Sequence, residues 1–180
     1  MQELSARAQA LGLVGYAQAK AGHGYASFVL TAADGTDAHT MAPMPIFARQ
    51  LLQTFAQMEN LPSDDRLTPI IEALLAAQRQ WRDVWVESPD SDAGRELAAL
   101  CRGFARVLRA EMQRRKLLSS QASHRLHVFF LAGTTAILAE TDPRSASPWP
   151  GGIPRLRRLP GAPSRSATKL EEAFHTLLSK

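Results

Sequence analysis

The residues with chemical reach in this sequence are few and scattered. Its 5 histidines (His23, His39, His124, His127 and His175) form no His-x-x-x-His pair and no other zinc spacing. His127 lies among apolar strand residues and reads as a satisfied core histidine before it reads as a ligand; His23 sits in a turn and reads as a surface residue. Asp64 and Asp65 are adjacent carboxylates, but beside a helix start they serve capping and dipole roles more simply than acid–base chemistry. Cys101, the sole cysteine, falls on the apolar side of a helix as a small core hydrophobe. One cysteine excludes a disulfide framework and a cysteine-based zinc site, and it suits the reducing cytoplasm. No Gly-x-Gly-x-x-Gly, P-loop or Gly-x-Ser-x-Gly elbow is present, so neither a cofactor nor a metal is expected within the chain.

What remains is cationic. The net charge of +4 conceals two unlike halves. Residues 1–100 hold 7 Lys/Arg against 12 Asp/Glu, whereas residues 101–180 hold 14 against 5. From Arg144 to Lys169 there are 6 cations (Arg144, Arg155, Arg157, Arg158, Arg165 and Lys169) and no anion. A concentrated positive field attracts polyanions, so a phosphate footprint is one reading; a solvated basic loop beside the acidic half is the other, and charge alone does not choose. Arg102, Arg106 and Arg109 share one helical face, followed by Arg114, Arg115 and Lys116 in the last turn, where cations also complement the helix dipole. Trp149, in the coil Ser147-Pro148-Trp149-Pro150-Gly151-Gly152, could stack on a base or pin the coil to the core.

The elements that must position these residues follow from pattern. At 180 residues, 45% hydrophobic and 21% charged, the chain is that of a folded protein with room for one ordinary domain or two small ones. Its start has no apolar signal core, and the nearly apolar run Leu126–Ala139 is too short for a membrane helix. A first helix spans about Gln2 to Leu11, and Leu13–Lys20 with Tyr25–Leu30 reads as a hairpin about Gly22-His23-Gly24. Thr31–Pro45 reads as a loop, and Ile46–Met58 suits a strand or a helix. Asn60–Asp65 is the best boundary.

Thr68-Pro69 then suits an N-cap and first helical position of a helix to about Gln80. Asp83–Glu87 alternates as a strand does. Ala93 to Lys116 reads as one long helix with Leu97, Leu100, Cys101, Phe104, Leu108 and Met112 on its apolar face. Leu126–Leu131 and Thr134–Ala139 read as strands joined at Ala132-Gly133. A proline-rich coil leads to a final helix from about Ser164 or Ser166, striped by Leu170, Ala173, Phe174, Leu177 and Leu178. Without a regular βαβ rhythm, the class is α+β in two small units.

Several segments together resemble one family. Trp149-Pro150-Gly151-Gly152-Ile153-Pro154-Arg155-Leu156 and Ala162-Pro163-Ser164-Arg165-Ser166-Ala167-Thr168-Lys169-Leu170-Glu171-Glu172-Ala173 look like the stretch before the catalytic domain of RlmM, the FtsJ-like 2′-O-ribose methyltransferases of large-subunit ribosomal RNA. Ile46-Phe47-Ala48-Arg49-Gln50, Leu61-Pro62-Ser63-Asp64-Asp65-Arg66-Leu67-Thr68-Pro69-Ile70 and His127-Val128-Phe129-Phe130 match in the same order. The resemblance implies a ferredoxin-like unit over residues 1–60, a THUMP RNA-binding unit over 61–150, and over 151–180 a basic linker and first helix leading to a methyltransferase domain.

It also implies roles. In the family's Lys-Asp-Lys-Glu tetrad only the first lysine has a counterpart, Lys169; without the resemblance Lys169 would read as a solvated cation in a first helical turn. Two departures stand out. The family has a strand before the first helix, and this chain begins at that helix, so the first unit is expected to be weakened. The chain also stops at Lys180, before the family's glycine-rich turn for S-adenosylmethionine, so that cofactor is expected only in a full-length enzyme. The reading is therefore an RNA-targeting region, monomeric and not membrane-bound, whose partner is 23S ribosomal RNA. Its expected RNA contacts are Arg102, Arg106, Arg109, Arg155, Arg157, Arg158 and Arg165. A protein-interaction module without enzymatic role is the alternative, and a free-standing enzyme the remaining rival.

Overall fold

The computed structural model describes residues 2–31, 48–144 and 146–154. Helix α1, Gln2–Ala10, is rich in good helix formers and carries an Arg7–Glu3 pair one turn apart at 3.2 Å. It leads into the hairpin of β1, Gly15–Ala19, and β2, Ala26–Leu30, which pair antiparallel with Gly15 opposite Leu30. The turn between them packs on a distant loop. Gly24 has φ +73°, and a Cβ there would lie 2.8 Å from the carbonyl oxygen of Asp90, so only glycine fits.

The segment left open between strand and helix is β3, Gln53–Met58. It joins a four-stranded sheet of order β3-β6-β5-β4. Strand β4 is Val84–Glu87, β5 is Arg125–Ala132 and β6 is Thr135–Thr141. The β4–β5 pair is parallel and the others are antiparallel. Residues 53–58, which precede the Asn60 boundary in sequence, thus hydrogen-bond into the sheet of the second unit. Parallel β4 and β5 need a crossover. Two helices supply it: α3, Asp92–Glu96, and α4, Ala98–Arg114. The fold is α+β.

Three expectations need correction. The single helix expected from Ala93 to Lys116 is broken at Leu97, whose N–H bonds the carbonyl of Gly94 in a tightened turn while its own carbonyl opens α4 by accepting from Cys101. Ser91 caps α3, its side chain accepting from the Gly94 N–H at 3.1 Å. Thr68 is not the cap of the preceding helix. Helix α2 spans Leu67–Ala76, and Asp65 Oδ1 accepts from the Thr68 N–H at 3.0 Å. That bond with Thr68 holds the exposed Asp65 carboxyl below its usual range. The helix ends early because Gln78 takes φ +52°. Most of the expected Thr31–Pro45 loop, Ile46 and Phe47, and the helix from Ser164 or Ser166 lie outside the described residues.

The core lies between one face of the sheet and helices α2 and α4. Leu126, Val128, Phe130, Ala136 and Leu138 alternate along β5 and β6 and are fully buried against Ile70, Leu74, Leu108 and Met112. Phe104 meets Phe130 edge-to-face at 5.4 Å. At the β3 side Trp81 stacks on Phe55 at 5.9 Å and donates through Nε1 to Glu140 Oε2 at 3.1 Å, while Arg79 reaches the other oxygen of Glu140 at 2.7 Å. A buried carboxylate is tolerated here because both oxygens are bonded. Trp81→Ala removes a fully buried ring and one of those bonds. It is expected to lower unfolding free energy by about 3–5 kcal/mol, seen as a fall in urea midpoint at unchanged slope. A midpoint within error of the parent chain's would contradict this packing.

Candidate nucleic-acid interface

Helix α4 has its rotation fixed by burial. Cys101, Phe104, Leu108 and Met112, spaced by 3 and 4 residues, point into the core. Arg102, Arg106 and Arg109, at their own spacing of 4 and 3, form a parallel row on the outer side. Arg102 and Arg106 are exposed and have no ion-pair partner among the described residues. Arg109 is anchored differently: its Nη2 donates to the carbonyl of Val84 at 2.9 Å, tying α4 to the start of β4. It keeps its positive charge, with part of its donor fork committed to the fold.

Along the α2 side of α4 runs a shallow groove of about 360 Å³, with Gly103 and Val107 on one wall and Asp64, Asp65 and Arg66 on the other; none of the row's three arginines lines it. A Cβ on Gly103 would meet nothing within 4 Å, and Val107 is 47% exposed. The two carboxylates repel phosphate, so an anionic strand is favoured on the arginine side of α4 and opposed across the groove. Arg66 bonds the carbonyls of Ser63 and Gly133 and holds the loop in place.

The remaining cations divide by partner. Arg114 and Arg115 both bond Glu111, at 2.5 and 2.9 Å, and their hydrogen bonds pull the Glu111 carboxyl down to about 2. Arg144 pairs with Asp142 at 2.7 Å; the Arg144 bond, with its backbone N–H, lowers that carboxyl to about 2. Arg125 lies 3.5 Å over the Trp85 ring and bonds Asp83 at 2.8 Å. Lys116 ends α4 exposed, with φ +59°. Arg155, Arg157, Arg158, Arg165 and Lys169 lie outside the described residues.

The other groups marked in the sequence fall into structural places. His127 is 2% exposed and has both ring nitrogens engaged, Nδ1 with Glu87 at 2.7 Å and Nε2 with the Thr141 hydroxyl at 3.2 Å. It is a core histidine. Burial pushes the Cys101 thiol up, which leaves it protonated and unreactive. His23 is exposed, His124 bonds Ser123, and His39 and His175 lie outside the described residues. Trp149 is half-buried in a turn against β4, which favours pinning the coil over stacking on a base. Sequence reasoning missed Trp81, Glu140 and Glu87, whose partners lie far away in the chain. No group of His, Cys, Asp and Glu among the described residues could hold a metal ion, and none of the described helices is long and apolar enough to cross a membrane.

The row separates by substitution. Arg102→Ala and Arg106→Ala should leave unfolding free energy within about 0.5 kcal/mol of the parent, as exposed side chains without partners do. Arg109→Ala should cost about 1 kcal/mol, the usual net worth of a lost hydrogen bond. Equal losses at all 3 positions in urea unfolding would mean the outer row is also part of the scaffold.

Comparison with known proteins gives the same arrangement a family. A family model described as the RlmM ferredoxin-like domain matches residues 1–52, and one described as ribosomal RNA large subunit methyltransferase M, N-terminal, matches residues 65–141. Proteins named ribosomal RNA large subunit methyltransferase M from Xanthomonas oryzae pv. oryzae (strain PXO99A) and Xanthomonas campestris pv. campestris (strain B100) are each 47% identical over 180 residues, covering 98% of this chain and 52% of the relative. The same identity and coverage hold for the protein of that name from Xanthomonas axonopodis pv. citri (strain 306). The chain therefore spans about half the length of the curated relatives it matches. It belongs to the RlmM family, and what it carries is the family's ferredoxin-like domain and the N-terminal region that follows.

Proposed function

We propose that this chain is the RNA-binding, targeting region of a 23S ribosomal RNA (cytidine-2′-O)-methyltransferase, and that alone it binds RNA without transferring methyl groups. The observation that carries the reading is the outer row of α4: Arg102 and Arg106 face solvent unpaired among the described residues, on the unit matched by the family's N-terminal model. Structured RNA is recognised through shape, phosphates and 2′-hydroxyls, and exposed guanidinium forks suit those oxygens. Arg155, Arg157, Arg158 and Arg165 extend the same positive field in sequence. In this reading a ferredoxin-like unit ends before β3 rather than at residue 60, a THUMP unit takes in β3 together with residues 61–150, and residues 151–180 are the linker toward catalysis, in a cytoplasmic monomer.

The chemistry of the whole enzyme sets what the remainder must do. A ribose 2′-hydroxyl is a weak nucleophile, so catalysis needs it aligned with the methyl donor and its developing negative charge stabilised. Lys169 would place positive charge beside that oxygen. S-adenosylmethionine would supply the methyl group from its sulfonium.

A salt titration with a 23S fragment carrying the family's target cytidine tests the reading. With six phosphate contacts, affinity should fall roughly 10²–10³-fold between 50 and 200 mM salt, a slope near −0.7 per contact. Substituting Arg102 and Arg106 together by Ala should make the slope shallower by about 1–1.5. A flat titration, or competition by heparin as strong as by the RNA fragment, would instead favour a basic protein-interaction module.

A further inference from the structure

The sheet face turned away from α2 and α4 holds a buried carboxylate that the arginine row does not use. Glu87, the last residue of β4, is 7% exposed. Its Oε2 faces His127, and its Oε1 accepts from the backbone N–H of Gly151 at 2.5 Å. Gln50 engages the same turn in either orientation of its amide. Its nitrogen donates to Glu87 at 3.3 Å and to the Trp149 carbonyl at 3.5 Å; turned over, its oxygen accepts from the Gly151 and Gly152 N–H groups at 3.0 Å each. Gly152 has φ +66°, and a Cβ there would lie 2.5 Å from both Cβ and the carbonyl oxygen of Arg49. Segments 49–50, 87 and 149–152, which are far apart in the chain, thus close around one carboxylate.

We propose that Glu87 is a positioning residue: it clasps the Arg49–Gln50 segment and the Trp149–Gly152 turn to the back of the sheet, and so sets the direction in which the chain leaves at Pro154. The chain runs on for the remainder of its 180 residues from that point. In the targeting reading this direction sets where the catalytic half stands relative to the RNA held on α4. That consequence rests on the proposed function; the clasp itself does not.

The electrostatics fit a carboxylate held ionised. Burial alone would push the Glu87 carboxyl up, but the hydrogen bond and charge of His127, with the bonds from Gly151 and Gln50, outweigh it and hold it below its usual range. The other groups around it are the Cys101 thiol on α4 and, at the rim, the Arg49–Asp90 pair at 2.5 Å. A carboxyl depressed on folding stabilises the structure above its unfolded value, and that contribution is lost as pH falls through the folded value.

NMR on the whole chain tests this. In the parent, the Gly151 amide should be protected from exchange, and its shift should titrate with a midpoint below about 4.3, the ordinary glutamate value. Glu87→Gln should abolish that titration. In both Glu87→Gln and Gly152→Ala the Gly151 amide should exchange at least about tenfold faster, while Val128 and Leu138 in the core stay protected. If Glu87→Gln fails to fold, Gly152→Ala and the parent titration still decide. An unprotected Gly151 in the parent, or unchanged protection in the variants, would overturn the clasp. RNA affinity should not change in Gly152→Ala, so loss of the clasp is distinguishable from loss of RNA binding.

Discussion

Helix α4 can turn only one side to the sheet, and the placement of its arginines follows from which side that is. Cys101, Phe104, Leu108 and Met112 fill the space over Leu126, Val128 and Phe130, and rotating the helix forward by one residue would put Arg102 and Arg109 in the places of Cys101 and Leu108. Burying an unpaired guanidinium is far more costly than burying a leucine is favourable. The apolar stripe therefore fixes the charged one. Arg102 and Arg106 are held outward by the packing of their neighbours, without ion-pair partners among the described residues, and Arg109 braces the helix against β4. A row built this way is rigid at the backbone and free at the side chains, which suits the proposed recognition of a phosphate surface whose shape matters more than its sequence.

The reverse face of the same sheet follows other rules. Helices cover one side; the other meets the hairpin, through Tyr25 against Phe129 at 6.3 Å, and the Trp149–Gly152 turn. Here burial is polar. Glu87, His127 and Thr141 satisfy one another, and Gln50 and Gly151 complete the set. Such a network stabilises little if it replaces well-packed apolar groups, but its directional bonds admit one arrangement of the segments that meet there. The division of labour is between a face that supplies stability and a face that supplies orientation.

What the sequence made legible was local. The hairpin about Gly22-His23-Gly24, the stripe of α4 and the strands on either side of Gly133 were readable because turn chemistry and periodicity act over a few residues. The break at Leu97 was not, since nothing in the pattern distinguishes one helix from two joined by a tightened turn. Strand β3 was ambiguous because its pairing partner, β6, lies some 80 residues downstream. Charge misled in a similar way. Arg114 and Arg115 were read only as complements to the helix dipole, yet Glu111, one turn back, engages both. Glu87 drew no attention because its meaning comes from Gln50, His127 and Gly151, which only the fold assembles. The family resemblance drew on the segments around Gln50, His127 and Trp149, and the fold shows that these segments meet.

The central claim is that the outer row of α4 is where RNA lies. Titrating the isotope-labelled chain with a 23S fragment and following its backbone and arginine side-chain signals tests it most directly. The account predicts that the largest changes fall on Arg102, Arg106, Arg109 and the intervening Gly103, with the β1–β2 hairpin unmoved. Changes concentrated on the hairpin, or an α4 signal set that stays still while RNA binds, would contradict it.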